Sequence, residues 1–220
     1  MIFYKRSGHY FAKAVPARVR QSAATTVRSK NFGTASSAGK ILRRLLEPSL
    51  PFPKDKNMQS RFSGAIAKWL GLADASTLQP ETDLPYVNRF SFNEATSIAE
   101  RWKVPLTVTA INDYLLELMI PAFIPAQEIA APSNTLYIEC SIIAACCGLQ
   151  DKSEQGSCAV QLIIPFNNDI FPARVVPLSL PVIKDCLVVT TAAFIYQLQD
   201  GTTEQRKTFM PSGIIDARYW

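Results

Sequence analysis

Two stretches carry the strongest strand signal in this chain, TLYIECSIIAAC at residues 135–146 and CLVVTTAAFIYQL at residues 186–198. Both are rich in β-branched and aromatic residues, which favour extended backbone because their side chains pack well on a pleated surface. The second stretch is followed by Asp200-Gly201, a dipeptide that is typical of a tight hairpin. The sequence therefore predicts two long strands, the second of them turning back at residue 200.

Shorter runs of the same character surround these two and are separated by Pro, Gly, Asn and Asp. The predicted strands are 85–92, 104–110, 114–120, 135–146, 157–165, 173–180, 186–198 and 207–216. One or two helical turns are expected within 93–102, and loops at 151–156 and 167–169. Because the strands lack βαβ spacing, we predict a mainly β (α+β) fold, with an antiparallel sandwich or barrel domain over residues 75–220.

Residues 37–74 carry helical periodicity and predict a short helical hairpin. The first helix, near 38–48, is capped by Ser36 or Ser37 and ends at Pro48. The second, near 55–70, presents an apolar stripe at helical spacing and is followed by Gly71. The stripe consists of Met58, Phe62, Ala65, Ile66, Trp69 and Leu70. We expect this stripe to dock on the β domain or on another subunit.

The charge of the chain is divided unevenly along its length. Residues 1–46 hold ten Lys and Arg and no Asp or Glu, whereas the remaining residues hold thirteen basic and eighteen acidic side chains. Residues 1–36 have little apolar periodicity, so we predict an extended basic arm that becomes ordered only against a partner. A positively charged arm is attracted to a negatively charged partner. The acidic remainder of a neighbouring copy of the chain is a partner of this kind.

Aromatic side chains are interleaved with the charges of this segment, and they can anchor it in apolar pockets. Copies of the same chain, or other subunits of an assembly, are the expected partners, with nucleic acid as an alternative. The predicted partner-binding residues are Phe3, Tyr4, Lys5, Arg6, Tyr10, Phe11, Arg18, Arg20, Arg28, Arg43 and Arg44.

The residues that usually carry catalysis or bind metals are not arranged for either role, so the sequence predicts no enzyme, no cofactor and no metal site. The single histidine, His9, lies in the arm, where it has no nucleophile to serve. Cys146 and Cys147 are adjacent and would face opposite sides of a strand, and no metal-ligand spacing occurs. The odd number of cysteines, five, favours buried thiols over disulfides.

The sequence also lacks the segments that direct a chain into or across a membrane. No run of apolar residues is long enough to span a bilayer, and the amino-terminal residues lack the apolar region of a secretory signal. We therefore expect synthesis in the cytoplasm and no membrane span, and the final location stays open.

Two segments of the sequence have a distinctive pattern of small, apolar and Pro residues. They are VRSKNFGTASSAGKILRRLLEPSL at 27–50, with the following AIAKWLG at 65–71, and IPAFIPAQEIAAPSNTLYIECSIIAA at 120–145. Both resemble a family of uncharacterised proteins of about 200 residues from Bacteroidetes-type bacteria. The resemblance implies a basic amino-terminal segment, a helical hairpin and a β-rich remainder. It carries no functional residue, because no function is assigned to the family.

Three functions fit these features. The first is a non-enzymatic structural subunit that self-assembles, or docks in a larger ring, tube or fibre, through its amino-terminal arm. The second is a nucleic-acid-binding protein that uses the basic arm to neutralise phosphates. The third is an imported organelle protein, because residues 1–46 are also Arg-rich, Ser-rich and free of acids, as a presequence is.

Overall fold

A computed structural model describes residues 1–14, 22–47, 50, 55, 57–72, 82–149, 154–181 and 185–220. The chain divides into two compact units, Met1–Lys30 and Asn31–Trp220. Strands outnumber helices, and the strand pairings of the described residues are antiparallel. The predicted mainly β, α+β fold class is therefore confirmed.

The described elements comprise strands, α-helices and one 3-10 helix. The strands are β1 Ile2–Arg6, β2 His9–Lys13, β3 Thr82–Asp83, β4 Thr107–Asn112, β5 Leu115–Ile120, β6 Thr135–Gly148, β7 Glu154–Pro165, β8 Arg174–Ser179, β9 Cys186–Leu198 and β10 Ser212–Tyr219. The helices are α1 Ala23–Leu46, α2 Met58–Leu72, α3 Ile98–Arg101, α4 Pro125–Glu128 and the 3-10 helix Lys207–Phe209.

The first unit contains a two-stranded antiparallel hairpin, β1–β2, and the beginning of α1. The predicted extended arm over 1–36 is therefore wrong for the residues that the structure describes. Ser22 supplies the reason at the helix, because its hydroxyl accepts a hydrogen bond from the backbone N–H of Thr25 at 3.2 Å and so caps the start of α1. The helix begins well before the predicted residue 38 and runs on into the second unit.

The second unit contains a sandwich of two antiparallel sheets. One sheet has five strands in the order β3-β10-β9-β6-β7, and the other has three in the order β4-β5-β8. Their facing sides form one apolar core, in which Leu118 and Leu178 of the small sheet join Ile142 of the large one. Trp102 stacks on Phe194 in this core with ring centroids 4.8 Å apart. Of the two predicted architectures, the sandwich is the one found.

Two helices cover the other side of the five-stranded sheet. Leu42 of α1 and Phe62 and Trp69 of α2 pack with Ile143 and Leu187 of the sheet in a second apolar core. The predicted docking of the α2 stripe on the β domain is thus confirmed, with Phe62 0% and Trp69 3% exposed.

The two helices approach each other at Gly39. A methyl group at this position would lie 3.0 Å from the hydroxyl oxygen of Ser63. Farther along the pair, the side-chain amide of Asn31 donates a hydrogen bond to the carbonyl oxygen of Leu70 at 3.0 Å. Residues 51–53, which the sequence places between the two helices, lie outside the described residues.

The strands β4 to β9 lie close to their predicted places, and two other strand predictions need correction. Residues 85–92 form turns with one isolated bridge, because Leu84 and Val87 are buried at helical spacing and Val87 N–H donates to the Leu84 carbonyl at 2.9 Å. The last predicted strand, 207–216, is displaced to Ser212–Tyr219, since residues 207–209 form the 3-10 helix instead. None of the described helices has both the length and the apolar character that crossing a bilayer requires.

Truncation of Phe62 tests the helix-side core. We expect Phe62→Ala to lower the free energy of unfolding by about 3–5 kcal/mol, because it removes a fully buried ring and leaves a cavity. Urea denaturation measures the change, and Phe32→Ala is the matched control, since the Phe32 ring is 60% exposed on α1. Equal losses in the two variants would contradict the assignment of this core.

Candidate functional site

The N-terminal hairpin, Ile2–Lys13, is built around a two-residue turn. Ser7 and Gly8 have φ values of 50° and 86°, so both central residues are left-handed, as in a type I′ turn. This turn matches the right-handed twist of its two strands, and Arg6 pairs directly with His9. The sequence signal for this turn is the Ser-Gly dipeptide inside FYKRSGHYF, which is not among the turns predicted above.

The strand register places aromatic and basic side chains on both faces of this hairpin. One face carries Phe3, Lys5 and Tyr10, because Lys5 lies opposite Tyr10 and Phe3 is two residues before Lys5. The ammonium nitrogen of Lys5 lies 5.1 Å from the centre of the Tyr10 ring, which places a cation over an aromatic face.

The other face of the hairpin has the same chemistry. Tyr4 and Phe11 lie opposite each other and stack with centroids 5.5 Å apart. The ammonium of Lys13 lies 6.0 Å from the Tyr4 ring, and Arg6 and His9 complete this face near the turn. Cations therefore accompany the aromatic rings on both sides of the hairpin, and residues 1–14 contain no acid.

The rings of the hairpin are exposed to an unusual degree. Phe3 is 75% and Tyr10 83% exposed, while the stacked Tyr4 and Phe11 are 45% and 44% exposed. The hairpin thus presents its larger apolar groups outward, and the face with Phe3 and Tyr10 does so most. Several exposed rings on one small element are typical of an interaction site in proteins.

Six of the predicted partner-binding residues are brought together in this hairpin: Phe3, Tyr4, Lys5, Arg6, Tyr10 and Phe11. The others are not part of it. Arg28 is exposed on α1, Arg43 is half-buried on the same helix with its pKa lowered by burial, and Arg44 is engaged in an interaction. Arg18 and Arg20 lie outside the described residues.

A second surface with an unexpected composition is the outer face of the three-stranded sheet, formed by the outward side chains of β4, β5 and β8. Met119 and Val175 lie opposite each other on it and are 45% and 58% exposed. Glu117 lies next to them, between Thr109 and Pro177. The sequence signal for this face is the segment LLELMI at 115–120. Both of its alternating sets of side chains contain apolar residues, as in a strand that is buried on both faces.

A groove of about 530 Å³ lies in the second unit between the segment after α3 and the end of the sandwich. Its lining includes Trp102, Leu106 and the exposed cations Arg89 and Lys103. The described residues that line it include no His, Cys, Asp or Glu. Its Ser97 hydroxyl is occupied as the cap of α3, where it accepts from the backbone N–H of Glu100. The described lining thus combines apolar side chains with two exposed cations.

Three glutamates of the β domain, Glu117, Glu128 and Glu139, are found in different settings. Glu139 accepts hydrogen bonds from the side-chain amides of Gln161 and Gln197, each at 2.9 Å, in a polar ladder across neighbouring strands. Glu117 lies on the small sheet and Glu128 on α4.

Glu204 has a strongly lowered pKa, and its carboxylate is held in an ion pair with Arg206. The side chain of Arg206 donates to Glu204 at 2.6 Å, and this pairing, together with the backbone N–H of Arg206, lowers the pKa of Glu204 to about 2. A general acid or base near neutral pH needs the opposite shift. Glu204 therefore stays ionised and fixes the loop after β9.

The four buried cysteines are equally unsuited to nucleophilic chemistry. All five are free, and Cys140, Cys146, Cys147 and Cys186 are buried, whereas Cys158 is partly exposed. Burial raises the pKa of both Cys140 and Cys146 to about 12, so their thiolate forms are scarce at neutral pH. Among the described residues, no group of three or more His, Cys, Asp and Glu is placed to hold a metal ion.

Comparison with known protein families finds no family model that matches this chain. Comparison with curated proteins finds no significant match either. The resemblance described above therefore stays a prediction, and the function has to be argued from the surfaces themselves.

Thiol labelling tests the assignment of the cysteines. With an aromatic disulfide reagent at pH 8, we expect Cys158 to react in the native protein and the four buried thiols to react only after denaturation. Cys158→Ser removes the native reaction and is the control. Rapid labelling of this variant before unfolding would contradict the burial of the other four.

The Glu204–Arg206 pair predicts a pH dependence of stability. Because the folded-state pKa lies near 2 and the ordinary value is 4.5, the pair stabilises the fold above pH 4.5 and loses that effect as the pH falls toward 2. The stability difference between the natural protein and Glu204→Gln should therefore shrink over this range in urea titrations. Arg206→Met should reproduce the trend, and a difference that stays constant with pH would contradict it.

Proposed function

We propose that this protein is a non-enzymatic structural subunit that assembles with copies of itself, or docks in a larger assembly, through its N-terminal hairpin. The observation that supports the proposal most directly is the exposure of aromatic rings and cations on both faces of that hairpin. The proposal assigns it the role of a connector.

The physics of a two-stranded ribbon supports this role. An isolated hairpin is marginally stable in water, because it has no second layer against which to bury its side chains. Phe3 and Tyr10 therefore gain burial only when another surface covers them. Docking would order the hairpin and bury its rings in the same step.

Charge favours a neighbouring copy as the surface that does so. The hairpin contains Lys5, Arg6 and Lys13 and no acid, while the chain after residue 46 has an excess of acidic over basic residues. Opposite charges on two different surfaces of the same chain favour a head-to-tail contact between copies. Such contacts close into rings or continue as tubes and fibres.

Nucleic acid is the second candidate, and the interleaving of rings and cations is the observation that favours it. Exposed aromatic side chains can stack on bases while Lys and Arg neutralise phosphates. Import into an organelle is the third candidate. A presequence forms an amphipathic helix; residues 2–13 form strands, whereas Ala23–Leu46 forms a helix.

Removal of the exposed Phe3 and Tyr10 rings tests whether the hairpin connects the subunits. The double variant Phe3→Ser with Tyr10→Ser should remain folded, because both rings lie outside the two apolar cores. We expect it to sediment as a monomer at concentrations where the natural protein forms larger particles, since buried aromatic anchors supply most of the affinity of an interface. Sedimentation velocity with near-ultraviolet dichroism measures both properties.

Phe32→Ser is the matched control, because it removes a similarly exposed ring from α1. Particles of unchanged size in the double variant would contradict the proposal. The natural protein could instead stay monomeric alone and bind single-stranded nucleic acid with an affinity that falls steeply with salt. This result would favour the second candidate, nucleic-acid binding, over assembly.

A further inference from the structure

We propose that the receptor for the N-terminal hairpin is the outer face of the β4-β5-β8 sheet on a second copy of this chain, with Lys5 of one copy paired with Glu117 of the other. This inference rests on the proposed function and names the surface that it requires. It makes the contact head-to-tail, because hairpin and receptor are different parts of the chain.

The composition of the outer face supports burial rather than exposure to solvent. An antiparallel sheet that faces water on one side alternates apolar and polar residues. Here the outward positions of the central strand β5 are Leu115, Glu117 and Met119. They are flanked by Val175, Pro177 and Ser179 on β8 and by Thr107 and Thr109 on β4, so Glu117 is the only charged side chain among them. Ile111, at the bulge of β4, extends the apolar surface and is 52% exposed.

The charge of this face is complementary to that of the hairpin. Glu117 lies at its centre and Asp113 in the β4–β5 turn, and no Lys or Arg of the described residues forms an ion pair with either. The one cation of these strands, Arg174, stands at the first residue of β8, where its guanidinium lies 5.8 Å from the Phe171 ring. The acidic centre of the face is thus available to a cation from outside.

The spacing of the groups on the two surfaces also agrees. Phe3 and Lys5 are two residues apart on one face of β1, and Met119 and Glu117 are two residues apart on the outward side of β5. Residues two apart along a strand are separated by about 6.6 Å in any sheet. When the Phe3 ring lies on Met119, the ammonium of Lys5 is therefore carried to Glu117, and Tyr10, opposite Lys5, adds a second ring.

The sizes of the two surfaces match as well. The strands of the hairpin have five residues each, and those of the small sheet have six. Sheets that pack face to face keep their strands roughly aligned, about 10 Å apart. The hairpin can therefore lie along the outer face as an additional layer, which covers its Phe3 and Tyr10 face and the outward side chains of the small sheet.

Charge exchange between the two positions tests the pairing in the full-length chain. Lys5→Glu alone, or Glu117→Lys alone, should raise the concentration for half-assembly by about tenfold or more, since like charges then meet at the centre of the contact. An equimolar mixture of the two single variants should assemble again, because each hairpin then meets a face of opposite charge. Lys40→Glu and Glu128→Lys are the controls and should assemble as the natural protein does.

Each outcome of this experiment is decisive. Rescue by the mixture supports the contact between copies. Rescue only when both substitutions are in one chain would show that the hairpin folds onto its own sheet, and it would overturn the inference. No rescue, with loss of assembly in Phe3→Ser with Tyr10→Ser, would leave the hairpin as connector and move its receptor elsewhere. Assembly of that double variant would refute the proposed function itself.

Discussion

The structure depends on the need to cover both faces of the central strands β6 and β9. These strands are apolar at consecutive positions, so Ile142 faces one side of the sheet and Ile143 the other, and both are 1% exposed. A sheet with two apolar faces is stable only between two layers. Helices α1 and α2 supply one layer and the three-stranded sheet supplies the other. Ala144, Ala145, Ala192 and Ala193 keep the middle of the sheet thin enough for both to pack closely.

The same requirement is left unmet at two places outside these cores. The N-terminal hairpin has aromatic residues on two faces and no second layer of its own, and the outer face of the small sheet exposes Met119 and Val175. One surface is basic and the other is centred on Glu117. Two incomplete layers of opposite charge on one chain make contact between copies the simplest way to complete both. In this account, assembly extends the layering that stabilises the second unit.

The parts of the fold that were predictable from the sequence are those with a strong local pattern. Strands β6 and β9 follow from dense β-branched and aromatic runs, and the burial of Phe62 and Trp69 follows from a regular helical stripe. The early start of α1 was missed, because residues 23–34 have no apolar stripe and the helix depends on one cap at Ser22. Residues 85–92 were predicted as a strand because they contain apolar side chains. In the structure these residues form turns, and Val87 and Phe92 are buried from that conformation.

The candidate site was predictable in composition but not in arrangement. The aromatic and basic residues of the first eleven positions were identified, but their separation into two faces required the Ser7-Gly8 turn. Predicting the outer face would require the register between β5 and β8, which pairs Met119 with Val175, a residue distant in the sequence. Such pairings are set by tertiary packing, and no local pattern reports them.

The most direct test of the contact between copies is zero-length carbodiimide cross-linking of a 1:1 mixture of unlabelled and ¹⁵N-labelled protein, followed by mass spectrometry. This chemistry joins an amine and a carboxylate only when they are in contact. The account predicts a peptide pair joining Lys5 to Glu117 in which about half of the pairs combine the two labels, as random pairing between copies requires. Assembled particles that lack this pair, or that contain it only with both peptides of one label, would contradict the account.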